Sequence, residues 1–273
     1  MSPILLPRTK ANFFFLFAFI WSFFFWTLTI LLGGISQFPG SILQYFGGAG
    51  PFVAALVITH FFEDRPLQRC FWSRTFDFRR IPPRWFIPAL LLHPTIILFA
   101  VLFDLGTGGS LQGKGPSLNE PWSLVSLVFF VFVFGPLPEE MGWRGVAYDR
   151  LTAKMNALQA SLWLGVAWAA WHIPLFFIEG TFHASLGFGS PRFWIFLLSN
   201  IPLTVIMTWI YNHTERSTLA AVLVHFSGNM VGALIIKSPQ LAFYELLGLL
   251  LVALLLTVRT GPSLKNSRVT EVA

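Results

Sequence analysis

Long apolar runs alternate with short polar breaks along this chain, and the runs are nearly free of charge. They fall around residues 13–32, 43–62, 86–103, 121–138, 156–178, 193–212, 217–236 and 239–258. A helix of roughly 17–25 apolar residues crosses a hydrocarbon core of about 30 Å. A bilayer admits only helices or closed barrels, and these runs lack the alternation of a barrel strand. The pattern therefore predicts an all-α, polytopic transmembrane bundle of about eight helices. The longest polar break, 63–85, mixes Arg with aromatic residues (RCFWSRTFDFRR) and reads as an interfacial amphipathic segment. The Gly- and Ser-rich stretches 106–120 and 180–191 read as loops. No internal repeat stands out, so an inverted-repeat transporter receives no direct support.

Composition strengthens the membrane reading and charge gives it a direction. The chain is 55% hydrophobic, 17% aromatic and 11% charged, with a mean hydropathy of +0.68; soluble domains carry about 25% charged residues. An N-terminus on the inside puts Arg8, Lys10, Arg65, Arg69, Arg74, Arg79, Arg80 and Arg84 on that side. Arg144, Arg150, Lys154, Arg216, Arg259, Lys265 and Arg268 join them, making 15 of the 18 basic residues. Only Lys114, Arg192 and Lys237 fall outside. The positive-inside rule then predicts that both termini are cytosolic. This asymmetry accounts for the net charge of +6, so the expected partners are membrane lipids and no nucleic acid. The first run is longer than a signal-peptide core and lacks an A-x-A-like exit, so it reads as an uncleaved helix. The lone Cys70 excludes an internal disulfide framework.

Against this background the ionisable residues inside the runs stand out, because each is costly in hydrocarbon and such groups mark functional sites. Glu139 and Glu140 follow Gly135, Pro136 and Pro138 in GPLPEEMGWRG. Those residues break the preceding helix and suit a fresh first turn. Adjacent helical residues point about 100° apart, so the two carboxylates cannot do the same job. Glu140 can pair with Arg144 at i+4, which leaves Glu139 free to face a site. His172 lies in WAAWHIPLFF, and His225 with Asn229 in LVHFSGNM. If the chain turns near 155–156, Glu139 and His172 each stand 16 residues from that turn, at one height of roughly 24 Å. The plain alternatives are an interfacial carboxylate patch, a core histidine bonded to a carbonyl, and interhelical polar glue. Holding all three at once makes the shared spacing a coincidence. Trp143, Trp168 and Trp171 are candidates for the wall of a cavity.

These three pieces together resemble the signature of the CAAX protease and bacteriocin-processing (CPBP) family. That family includes type II CAAX prenyl endopeptidases and many bacterial abortive-infection membrane proteins. Its EExxxR motif is matched by Glu139, Glu140 and Arg144. Its aromatic residue four before a histidine, usually Phe, is Trp168 ahead of His172. Its His with Asn at i+4 is His225 with Asn229. The likeness covers roughly 120–235. It implies an intramembrane endopeptidase in which residues 120–236 form the catalytic core. Residues 1–105 would be a transmembrane scaffold, and 237–273 a last helix with a cytosolic tail.

The chemistry implied is hydrolysis by an activated water, with a proton shuttle and a stabilised oxyanion. Glu139 with His172 would activate the water, His225 and Asn229 would hold the oxyanion, and Arg144 would orient Glu140. Ser227 points away from the face of His225 and Asn229, so no serine nucleophile is expected. Glu139, His172 and His225 would also make a Zn2+ ligand set. HExxH is absent, however, and a metal-free, glutamate-activated mechanism suits the same residues. The expected substrate is a membrane-anchored or hydrophobic peptide or protein, as in CAAX-type or bacteriocin processing, cut near the cytosolic side of a prokaryotic plasma membrane. Two other functions stay open on the sequence: a proton- or ion-coupled transporter, and a catalytically inactive membrane immunity or interaction protein. His60, His93, His183 and His213 read as interfacial or loop residues. Glu245 reads as a snorkelling side chain.

Overall fold

The computed structural model describes residues 11–110 and 121–265. Arg8, Lys10, Lys114, Arg268, Glu120 and most of the 106–120 loop lie outside the described residues. Every regular element among the described residues is helical. α1 is Ala11–Leu31, α2 Gly40–Gly48, α3 Gly50–Phe61, α4 Arg65–Phe76 and α5 Phe86–Gly106. α6 (Pro121–Phe134) leads into α7 (Pro136–Gly142), a π-helical turn at Trp143–Ala147, and α8 (Tyr148–Thr152). α9 is Ala157–Trp171, α10 Phe182–Leu186, α11 Pro191–His213, α12 Thr218–Leu234 and α13 Pro239–Thr260.

Each apolar run becomes helix among the described residues. Six stretches of the described residues are long and apolar enough to cross a membrane, or up to seven if α2 and α3 form one span bent by 49°. The run at 217–236 becomes α12, which is 17 residues long. Helix starts are set by side chains that satisfy the first-turn amides, which would otherwise be stranded away from water. Asn156 and Gln159 form a reciprocal capping box at α9. Ser190 and Ser238 cap α11 and α13, each just ahead of a proline.

The centre of the bundle is α9 against α11, whose apolar stretches are 61% buried, against 28% for those of α1, α5 and α13. The contact is close because Gly165 has no side chain: a Cβ there would lie 2.8 Å from Ile201 Cα. α13 packs on α11 and α5, α12 on α5 and α7, and α3 on α1 and α7. Polar contacts gather several element ends at one end of the molecule. Arg80 Nη2 donates to the Glu215 carbonyl at 2.9 Å, and the Trp85 and His213 rings stack at 4.8 Å. Asn212 Nδ2 reaches the Ser263 carbonyl at 3.3 Å.

Two expectations about charged residues change. The 63–85 segment is more than an interfacial strip. Arg74 on α4 is buried, pairs with Asp149 and donates to the Gly145 carbonyl at 2.6 Å. Glu245 does not snorkel. It is buried between His93 Nε2 at 3.1 Å and Lys237 Nζ at 2.5 Å, which ties α5, α13 and the chain after α12 together. A buried carboxylate needs such partners, and residues 152 positions apart in sequence give no local sign that they meet.

Candidate active site

Gly135, in a conformation outside the helix, ends α6, and Pro136 opens α7. α7 carries both glutamates in its first two turns, and both are buried. Their surroundings differ as their angular offset requires. Glu140 is fully buried and accepts from Arg144 Nη1 at 2.7 Å through one oxygen. Its other oxygen faces His225 Nδ1 at 3.0 Å. Glu139 has no cationic partner of this kind among the described residues. Its Oε2 accepts from Trp168 Nε1 at 2.8 Å.

Trp168 is the hub on which the three motifs meet. Its carbonyl, one turn back on α9, accepts from His172 Nδ1 at 2.8 Å. Its ring meets the His225 ring edge-on at 5.0 Å and the His172 ring at 5.6 Å. The Arg144 guanidinium carbon lies 5.4 Å over the same ring, a cation–π contact in a desolvated place. A carbonyl can only accept, so Nδ1 of His172 carries the proton and Nε2 of the neutral ring presents a lone pair. His225 is placed by α12, and Asn229 lies one turn along, exposed and beside Gly135, whose Cβ would stand 3.8 Å from Asn229 Nδ2. Ser227 turns away and bonds the Val224 carbonyl at 2.9 Å.

The structure thus gathers Glu139, Glu140, Arg144, Trp168, His172 and His225 into one buried cluster, with Asn229 at its open edge. Trp143 goes elsewhere. Its ring neighbours are Phe14, Phe15 and Trp171, in the packing between α1 and α9. Trp171 touches the His172 ring at 5.0 Å and anchors on Ser22 of α1 at 2.7 Å. His183, read from the sequence as a loop residue, lies against His172 with ring centroids 5.5 Å apart, and Phe196 covers it at 4.9 Å. Sequence reasoning missed this because α10 carries no periodic pattern over its five residues.

Among the described residues no three His, Cys, Asp or Glu side chains are grouped to hold an ion. One Glu139 oxygen accepts from the Trp168 indole, and each imidazole has Nδ1 on an acceptor, the Trp168 carbonyl for His172 and Glu140 for His225, which leaves both Nε2 atoms facing away from those bonds.

Fold and site define a polytopic membrane protein with a carboxylate–imidazole centre buried among its helices. Residues 121–231 match the family described as Type II CAAX prenyl endopeptidase Rce1-like. Over 254 residues the chain is 27% identical to CAAX prenyl protease 2 of Methanococcus maripaludis, covering 90% of this chain and 92% of that protein. These likenesses and the three motifs together support the CAAX protease and bacteriocin-processing family, and a CAAX-type intramembrane endopeptidase as the activity.

Proposed function

We propose that this protein hydrolyses a peptide bond of a membrane-anchored protein with a water activated by Glu139 and His172. One observation carries the reading: of the two buried glutamates, Glu140 is engaged by Arg144 and His225, while Glu139 bonds only the neutral Trp168 indole among the described residues. Glu139 is therefore the carboxylate free to take a proton.

The steps follow from the donors. The water gives one hydrogen bond to Glu139 and one to the Nε2 lone pair of His172, which turns its own lone pair toward the substrate carbonyl. As its oxygen adds to the carbonyl carbon, a proton passes to Glu139. His225, when doubly protonated against Glu140, donates its Nε2–H to the oxyanion, and the Asn229 amide donates beside it. Collapse of the tetrahedral intermediate breaks the C–N bond, and the leaving amine takes the proton back from Glu139. No metal is required in this scheme.

The relative's name supplies the substrate class. We infer a prenylated CAAX-type tail, reaching the site from the open edge at Asn229 and cut on the cytosolic side. Hydrolysis of a prenylated C-terminal peptide by the purified protein in proteoliposomes tests this. The unaltered chain is expected to cleave it, and phenanthroline is expected to leave the rate unchanged. Glu139→Gln is expected to lower kcat by at least about 1,000-fold, the order removed when a general base and its water are lost. Cleavage by Glu139→Gln at the normal rate would remove the glutamate from its role. Equal rates on the peptide without its prenyl group would remove the substrate assignment.

A further inference from the structure

The π-helical turn Trp143–Ala147 directly follows the two glutamates and contains Arg144. A π-turn inserts a residue into the helical ladder, so its amides reach back five residues; here the Tyr148 amide bonds the Trp143 carbonyl. Such turns are costly and persist where surrounding groups hold them. The next three carbonyls each accept a side-chain donor. Arg144 O takes the Tyr211 hydroxyl at 3.1 Å, Gly145 O takes Arg74 Nη2 at 2.6 Å, and Val146 O takes Arg150 Nη1 at 3.0 Å. The donors come from α11, α4 and α8. They are themselves anchored by carboxylates: Asp149 holds Arg74 and Arg216 and shares the single Tyr211 hydroxyl proton with the Arg144 carbonyl, each at 3.1 Å, and Glu63 holds Arg150.

The guanidinium of Arg144 needs that support. It is fully buried and makes one hydrogen bond, to Glu140, while its Nε and Nη2 have no hydrogen-bond partner among the described residues. Besides the Trp168 ring beneath it, its aim at Glu140 therefore depends on where its backbone sits. Glu140 in turn orients His225.

We propose that Tyr211 and Arg74, anchored on Asp149, are positioning residues for the hydrolysis. They hold the π-turn that aims Arg144 at Glu140 and, through Glu140, set the His225 ring. This rests on the reading of the site given above. It assigns a catalytic task to a charged cluster outside the three motifs, on residues that touch neither substrate nor water.

Tyr211→Phe removes one hydroxyl and leaves the ring in place. Its kcat, per molecule of folded enzyme, is expected to fall about 10- to 100-fold with KM unchanged, the scale of a misplacement near 1 Å. Tyr148→Phe is the control. That phenol lies against Tyr211 at 5.5 Å but bonds Asn212, and its loss is expected to leave kcat unchanged. A purely structural role would lower the yield of folded protein and leave kcat per folded molecule intact. Should Tyr211→Phe fail to fold, the charge-balanced pair Arg74→Gln with Asp149→Asn is judged by the same kcat criterion. Wild-type kcat in Tyr211→Phe, or an equal loss in Tyr148→Phe, overturns the positioning role while Glu139→Gln still reports on the site itself. A wild-type chain that cleaves nothing overturns both.

Discussion

Adjacent glutamates with unequal partners make opposite predictions for the same substitution. Glu139→Gln keeps an oxygen for the Trp168 indole and strands no charge, so thermal stability is expected to stay near that of the wild type. Glu140→Gln leaves the guanidinium of Arg144 fully buried without its counter-ion. Breaking one partner of a buried pair costs about 3–5 kcal/mol, so a clear fall in Tm is expected. Thermal unfolding of the two variants side by side decides this, and equal Tm values would mean that Glu140 is not the ionised anchor. Trp168 separates in the same way. Trp168→Phe removes the donor to Glu139 but keeps the main-chain bond to His172 and an aromatic face for Arg144 and His225. Its kcat is expected to fall by about 10-fold and by no more than about 150-fold, a hydrogen bond to a charged group being worth about 1.5–3 kcal/mol. Trp168→Ala removes the hub and costs about 3–5 kcal/mol of stability through the cavity it leaves. The motif spacings made these residues legible in the sequence, because i+4 partners report on one face of one helix. Tyr211, His183 and the His93–Glu245 pair were illegible, since each meets its partner across helices far apart in sequence.

At the scale of elements, the sequence was informative where a local signal exists. The turn expected near 155–156 is there, because Asn156 and Gln159 build a capping box at the start of α9. The break before the glutamates is there, because Gly135 and Pro136 cannot continue α6. The π-turn gave no signal, as its cause is tertiary: side chains of three elements waiting for its carbonyls. The bend between α2 and α3 was missed within an apolar run that looked continuous. How closely α9 and α11 approach depends on Gly165, whose absent Cβ would meet main-chain atoms that no rotamer change can move aside. Gly165→Ala is therefore expected to push α9 from α11 and destabilise the bundle by about 1–3 kcal/mol. Because α9 carries Trp168 and ends at His172, activity should fall with it. An alanine variant with unchanged Tm and kcat would show that the two helices pack less tightly than described.

At the scale of the whole molecule, basic residues of the described chain define one end of the bundle. The segments around Arg80, Arg84, Arg216 and Lys265 come from distant parts of the chain, yet the contacts of Arg80 with Glu215, Trp85 with His213 and Asn212 with Ser263 draw them to one end. Clustering of basic residues at one end is what the positive-inside rule requires of a single membrane face, and the rule assigns that face to the cytosol. Cys70 is the only cysteine, so a Cys70→Ser chain is a silent background for a single reporter thiol. With Lys265→Cys added, a membrane-impermeant maleimide is expected to label inside-out vesicles and leave intact cells unlabelled. Labelling of intact cells would invert the molecule. The basic end would then face outward, against the orientation that the positive-inside rule assigns.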